Sequence, residues 1–221
     1  MGKVTAIIVA AGEGTRFGAL KQAVTLKGET ILERSISAFE RAVEVSEIIL
    51  VLRPDKIEST DISRFSKVSH TAVGGRERQD SVSSGLSFVD PAQTDIVLVH
   101  DGVRPLVSEK TIHDVIHSAR RFGAAVPAIP VEDTLKRGDG EWVIETEDRS
   151  TLYRIQTPQG FQYDVLHSAM IEAGKAGIYG TDEASLVERT GKRVALVEGD
   201  PRNIKITTPG DLQIAEVLIE D

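Results

Sequence analysis

The 221-residue chain contains no cysteine, so it has no disulfide framework, no thiolate nucleophile and no cysteine-based zinc site. It has no basic excess either. Its formal charge of −8 argues against a general nucleic-acid binder, which carries a basic stripe, but leaves room for a local basic pocket. Long apolar runs are also missing. The first one, Val4 to Ala11, is too short for a membrane span and lacks the basic start and cleavage site of a signal peptide. A cytoplasmic protein that makes no membrane contact is the expectation. Hydrophobic residues at 40% and charged residues at 27% suffice for one globular core, and the length fits a single domain over 1–221.

What is present alternates. VTAIIVA (4–10), EIILVL (47–52), DIVLVH (95–100) and AAVPAI (124–129) are short, nearly continuous apolar runs, as expected of strands buried on both faces. Between them, Leu32, Ile36, Phe39 and Val43 recur at helical spacing behind a Thr30/Glu33 capping box. Ile112, Val115, Ile116, Ala119 and Phe122 repeat the stripe behind Ser108 as N-cap. Thr208-Pro209 opens a last helix carrying Leu212, Ala215 and Leu218. This order predicts an α/β fold: a Rossmann-like, mostly parallel sheet flanked by helices, with ligands beyond the carboxyl ends of the strands.

One stretch, 130–161, breaks the rhythm. Its polar extended segments around Gly138-Asp139-Gly140 predict a β-arm, about 131–157, that leaves the sheet. A long polar hairpin is either a surface feature or covered by a second subunit.

The first strand runs into the loop GEGTRFGALKQ. Gly12, Gly14 and Gly18 miss the dinucleotide fingerprint by one residue, and no P-loop pattern is present. The loop's amides and the cations Arg16 and Lys21 suit a triphosphate and the charge that builds when phosphorus is attacked.

A-A-G-x-G-x-R followed by K-Q resembles the signature of sugar-phosphate nucleotidyltransferases. GGRERQDSVSSGL (74–86), VHDGVRP (99–105), PVEDTLK (130–136), LYRIQTPQGF (152–161), TDEASLVE (181–188) and NIKITTPGDL (203–212) narrow the resemblance to the 2-C-methyl-D-erythritol 4-phosphate cytidylyltransferase family. The resemblance implies cytosine recognition by Ala10, Ala11 and Gly75 through the main chain and by the Ser81 hydroxyl. Gly12, Gly14 and Thr15 then belong to the nucleotide site, and Arg78 ties the base loop to an acidic neighbour or a phosphate. It further implies that Thr134, Arg149 and Thr157 contact the polyol phosphate held by a neighbouring subunit, in a homodimer built through the arm.

Asp101, ending a central strand, can orient a ribose or substrate hydroxyl or help hold the Mg²⁺ that accompanies a triphosphate; the first role is preferred. Arg104 is suited to clamping a phosphate or crossing a dimer interface. Thr181 opens a helix N-terminus whose amides favour anions. Lys205, in the strand-like NIKIT, points toward the same cleft. His100 reads as structural, because a phosphate monoester is already an anionic nucleophile. The sequence departs from the family pattern at Ala23, where an aromatic residue usually follows K-Q. The expected activity is CMP transfer from CTP to 2-C-methyl-D-erythritol 4-phosphate, with Arg16, Lys21, Arg149 and Lys205 as catalytic groups. Ribitol 5-phosphate as acceptor and a non-catalytic nucleotide-binding regulator are the alternatives.

Overall fold

A computed structural model of the chain describes residues 2–12 and 24–220. Strand β1 (Lys3–Ala10) lies at the middle of an eight-stranded sheet. On one side it pairs in parallel with β4 (Glu47–Leu52), which pairs in parallel with β5 (Val68–Val73). On the other side β1 pairs in parallel with β6 (Thr94–Asp101). The short hairpin of β2 (Thr25–Leu26) and β3 (Glu29–Thr30) precedes the first helix and stays outside the main sheet. Beyond β6 lies β11 (Gln159–Gln162), then β7 (Ala124–Pro130), flanked by β10 (Tyr153–Ile155) and, in parallel, β12 (Ala195–Glu198). Only β10 and β11 run against the others. The sheet is therefore mostly parallel, as the alternation predicts.

Helices cover both faces. Helix α1 (Ile31–Arg41) starts with the predicted capping box: Glu33 N–H donates to Thr30 Oγ1 at 3.1 Å, and Thr30 N–H donates to Glu33 at 2.7 Å. Ile36 and Phe39 are fully buried against β1, β4 and β6 on the face that also holds α3 (Glu109–Phe122), which Ser108 caps. The other face carries α2 (Arg78–Leu86), α4 (Tyr163–Ala176) and α5 (Glu183–Arg189). Helix α6 (Pro209–Glu220) packs Ala215 against Leu26, Ile31 and Ile206 in a smaller cluster. Among the described residues no helix is long and apolar enough to cross a membrane.

Four local expectations need correction. Val43 and Phe122 lie outside the apolar stripes: α1 stops at Arg41, leaving Val43 93% exposed, and Phe122 sits at the end of α3 under the Arg121 guanidinium. The arm's hairpin, β8 (Lys136–Asp139) with β9 (Trp142–Thr146), turns at Gly140-Glu141, with Gly140 at φ 57°, rather than at 138–140. Residues 156–161 are not part of a polar arm but return to the core. Gln156, Thr157, Gln159 and Phe161 are buried, and Gly160 packs so closely on Val115 that a Cβ there would lie 2.6 Å from its Cγ1. Finally, NIKIT (203–207) is not a strand; it follows the 101–107 segment, with Ile206 N–H donating to Val103 O.

Candidate active site

The chain order places β4 and β5 to one side of β1 and β6 to the other, so the direction of winding reverses between β1 and β6. A crevice at the carboxyl ends of two such strands is where ligands enter doubly wound sheets. Four loops meet there by close backbone approach. Gly102 N–H donates to Val9 O at 2.9 Å, and Gly74 N–H donates to Leu52 O at 2.7 Å. A Cβ on Gly74 would fall 2.1 Å from the Ala11 Cβ, so only glycine fits there. Ser81, buried at the start of α2, accepts from Gly75 N–H at 3.1 Å and donates to Glu77 O, fixing the second glycine of the pair.

Asp101, the last residue of β6, is the centre of the site. Its Oδ2 lies 2.9 Å from Lys205 Nζ and 3.5 Å from Arg104 Nε, and its Oδ1 accepts from Arg78 Nε at 3.1 Å. Burial raises its carboxyl, but Arg78, Lys205 and Arg104 together outweigh burial and hold it well below the usual carboxylate range. Arg78 turns its other end to Glu183, bonding both carboxylate oxygens at 2.6 and 2.7 Å. Burial pushes Glu183 above its ordinary value, against the pull of that arginine. Arg104 also donates to the Asn203 carbonyl at 2.7 Å, while burial holds its own pKa below the ordinary value. Among the described residues the buried side-chain atoms without a hydrogen-bond partner are Arg104 Nε and Asn203 Oδ1, both in this cluster.

Behind Asp101 runs a relay of three groups. Asp101 N–H donates to Thr157 Oγ1 at 3.1 Å, and Thr157 Oγ1 lies 3.0 Å from His100 Nδ1. His100 Nε2 faces the Arg104 carbonyl at 3.2 Å. A carbonyl only accepts, so Nε2 carries the proton and Nδ1 accepts from the threonine hydroxyl. Burial holds His100 down at about 3, so the ring is a weak base as well as fully buried out of reach of a substrate, in line with the structural role expected of it.

The sequence-level candidates thus divide. Ala10, Ala11, Gly12, Gly75, Ser81, Arg78, Asp101, Arg104 and Lys205 gather at one end of the sheet, the carboxyl edge of its central strands. Thr157 belongs to that edge too, buried behind Asp101 rather than carried on the arm. Thr134 and Arg149 are exposed on the arm, where Arg149 donates to the Glu132 carbonyl. Thr181 is exposed, and the amides of the helix after it are not open to an anion. Asp182 caps Ser185 N–H at 2.9 Å, and Gln159 Oε1 takes Ala184 N–H at 3.1 Å. Gly14, Thr15, Arg16 and Lys21 lie outside the described residues. Glu183 and Asn203 escaped the sequence reading as site groups. Their only signal was membership in TDEAS and NIKIT, and their roles arise from partners about a hundred residues away.

The comparisons bear directly on this arrangement. The family model for 2-C-methyl-D-erythritol 4-phosphate cytidylyltransferase (IspD) matches residues 4–221. A Geobacillus kaustophilus protein named for that activity is 44% identical over 220 residues, spanning 97% of this chain and 96% of the relative. The chain belongs to the 2-C-methyl-D-erythritol 4-phosphate cytidylyltransferase family. The crystal structure of a 4-diphosphocytidyl-2C-methyl-D-erythritol synthase from Anaerococcus prevotii superposes with a TM-score of 0.87 at 32% identity, covering 100% of this chain and 99% of that one. A 2-C-methyl-D-erythritol 4-phosphate cytidylyltransferase from Thermus thermophilus gives 0.83 at 35% identity, over 97% and 98% of the two chains. Cytidylyltransferases are nucleotidyltransferases, so this is an enzyme family, and the fold agrees along its length.

Proposed function

We propose that the chain transfers CMP from CTP to 2-C-methyl-D-erythritol 4-phosphate, giving 4-diphosphocytidyl-2-C-methyl-D-erythritol and pyrophosphate, a step of isoprenoid biosynthesis. The observation that carries this reading, beside family membership, is the Asp101 cluster at the β1/β6 crevice, at the carboxyl ends of both strands. Three cations against two carboxylates leave it one positive charge in excess, in a partly desolvated cleft that suits a polyanion.

In this reading the 4-phosphate oxygen of the acceptor attacks the α-phosphorus of CTP in line. A phosphorus–oxygen bond forms to it as the bond to pyrophosphate breaks, and no enzyme base is needed because the nucleophile is already an anion. That fits His100, which stays neutral and inaccessible. Arg16 and Lys21 stabilise the charge on the five-coordinate phosphorus, with Lys205 at the same cluster. Ala10, Ala11, Gly12, Gly75 and Ser81 form the edge that takes the base, and Asp101 keeps Lys205 and Arg104 aimed while presenting its carboxylate to a hydroxyl. Thr181 is assigned to the acceptor's side of the cleft.

Asp101 is a poor direct ligand for Mg²⁺. Both its oxygens already face cations, whereas Mg²⁺ takes an octahedron of oxygens with few competing charges. A divalent ion would therefore be held by the triphosphate oxygens, and the chain's contribution is its own cations.

The arm supports a homodimer. Its strands carry Trp142, Val143 and Ile144, at 78%, 64% and 60% exposure, an apolar stretch that a second copy would cover. In such a dimer Thr134 and Arg149 reach the acceptor phosphate in the partner's crevice. The test is pyrophosphate release with CTP and 2-C-methyl-D-erythritol 4-phosphate, repeated with ribitol 5-phosphate and with UTP or ATP. Turnover is expected with the first pair, and Lys21→Ala is expected to lower it by roughly 10²–10³. Faster release with ribitol 5-phosphate overturns the acceptor, and near-normal turnover of the variant overturns the loop's role. A fully active monomer in sedimentation overturns the shared site.

A further inference from the structure

At the other end of the sheet, away from the Asp101 cluster, three metal-ligating side chains converge. His113 and His117 are one turn apart on α3, so they share a face, with ring centroids 4.1 Å apart. Glu44, in the turn between α1 and β4, reaches them both. Its Oε2 lies 2.6 Å from His113 Nδ1, and its Oε1 lies 3.2 Å from His117 Nε2. One donor atom from each residue lies within 4.8 Å of the other two. Around a tetrahedral Zn²⁺ with bonds of about 2.0–2.1 Å, donors stand roughly 3.3 Å apart. The three are thus near the spacing such an ion imposes, and rotation of exposed side chains closes the difference.

The surroundings allow a cation. Arg120 donates to Glu44 Oε1 at 3.3 Å but also binds Asp95 at 3.1 Å, so its charge is shared between two carboxylates. That contact also orients Glu44, as outer partners of metal ligands do. The amine of Lys110 is engaged by Asp114 at 2.6 Å.

We propose that Glu44, His113 and His117 form a transition-metal site that takes Zn²⁺, with water in the fourth position. Two imidazoles and one carboxylate favour Zn²⁺, Co²⁺ or Ni²⁺ over Mg²⁺, so this site is chemically distinct from any that serves a triphosphate. Its effect is mechanical. Glu44 and His113 are 69 residues apart in sequence, and an ion joining them clips the α1–β4 turn to α3. Asp95, to which Arg120 is anchored, is at the start of β6, whereas Asp101 ends it. The clip therefore acts on stability and leaves catalysis alone.

The experiment uses the full chain without an affinity tag. Calorimetric titration with ZnCl₂ is expected to give one ion per chain. Thermal unfolding at 100 times the dissociation constant is expected to shift upward by about 5–10 °C. His113→Ala and His117→Ala should each abolish the shift while turnover stays at the wild-type value, and His117→Gln serves as a size-preserving second variant. Co²⁺ should give the visible absorption of a nitrogen-ligated tetrahedral or five-coordinate ion. No Zn²⁺ binding, a shift that survives the histidine variants, or an equal shift with MgCl₂ each overturns the proposal.

Discussion

Lowering the pH from 7 to 5 is expected to cost the fold about 2 kcal/mol through His100 alone. The ring is fully buried, 4.8 Å from the Phe39 ring centroid, and burial holds it at about 3 against an ordinary value near 6.5. A histidine that is neutral in the fold and free to protonate on unfolding makes stability rise with pH. Its contribution is complete above about 6.5 and is lost progressively as the pH falls toward 3. Between pH 7 and 5 the unfolded chain takes up about three-quarters of a proton at this residue and the folded chain takes up almost none. Integrating that difference gives about 2 kcal/mol, whatever the native value, provided it lies well under 5. Urea unfolding of the wild type and of His100→Gln at pH 7, 6 and 5 isolates the effect, since other titrating groups are common to both. The variant is less stable at pH 7, and its deficit should shrink by about 2 kcal/mol at pH 5. A deficit independent of pH refutes the assignment of a buried neutral imidazole.

Asp101→Asn removes the counter-charge of Arg78, Arg104 and Lys205 together. Breaking a buried pair costs about 3–5 kcal/mol. Arg78 and Lys205 reach solvent, so about 2–3 kcal/mol is expected, read as a melting-temperature drop of about 5–10 °C along with a large fall in kcat. An unchanged melting temperature would mean the three cations do not depend on it. Gly74→Ala forces a Cβ onto Ala11 and should cost about 1–3 kcal/mol while raising the KM for CTP at least tenfold. Gly174→Ala, in α4 with nothing within 4 Å of the added carbon, is the control and should be neutral or stabilising. Equal effects of the two glycine variants would remove the close-approach argument.

The parts of this fold legible in the sequence are those whose causes are local. The runs at 4–10 and 47–52 are strands because every residue faces a covered side, and Thr30 with Glu33 starts α1 because the reciprocal bonds span three residues. Val43 continued the helical period, but α1 ends at Ala42 in an extended conformation, and nothing in the spacing marks that stop. Ile204 and Ile206 alternate with polar residues as in a strand. Yet Ile206 is buried because it packs on Leu26, Ile31 and Ala215, not because a neighbouring strand covers it. Gln159 looked too polar for a core, but Asp182 and Ala184 satisfy its amide between β6 and β7. Family motifs pointed to Asp101, Arg78 and Lys205 as candidate site residues. That a single carboxylate binds all three cations depends on the crossing of β6, α2 and the 203–207 segment, which no local pattern encodes.

That convergence accounts for an acidic residue at the centre of a site proposed to take polyanions. Without a carboxylate, Arg78, Arg104 and Lys205 would repel one another across a cleft of low dielectric and swing toward water. Asp101 gathers them on one side, and Glu183 holds the far end of Arg78, so the cations keep fixed directions before any ligand arrives. The charge left over is small but oriented, and orientation established in advance lets a site favour a transition state over its ground state. Thr157 completes the arrangement from behind: by taking the Asp101 backbone N–H it fixes the end of β6, and His100 fixes the threonine hydroxyl in turn. The chain thus sets the direction of its field at the rigid end of a central strand. In the proposed reaction the groups that act on the phosphates themselves come from the glycine loop, through Arg16 and Lys21.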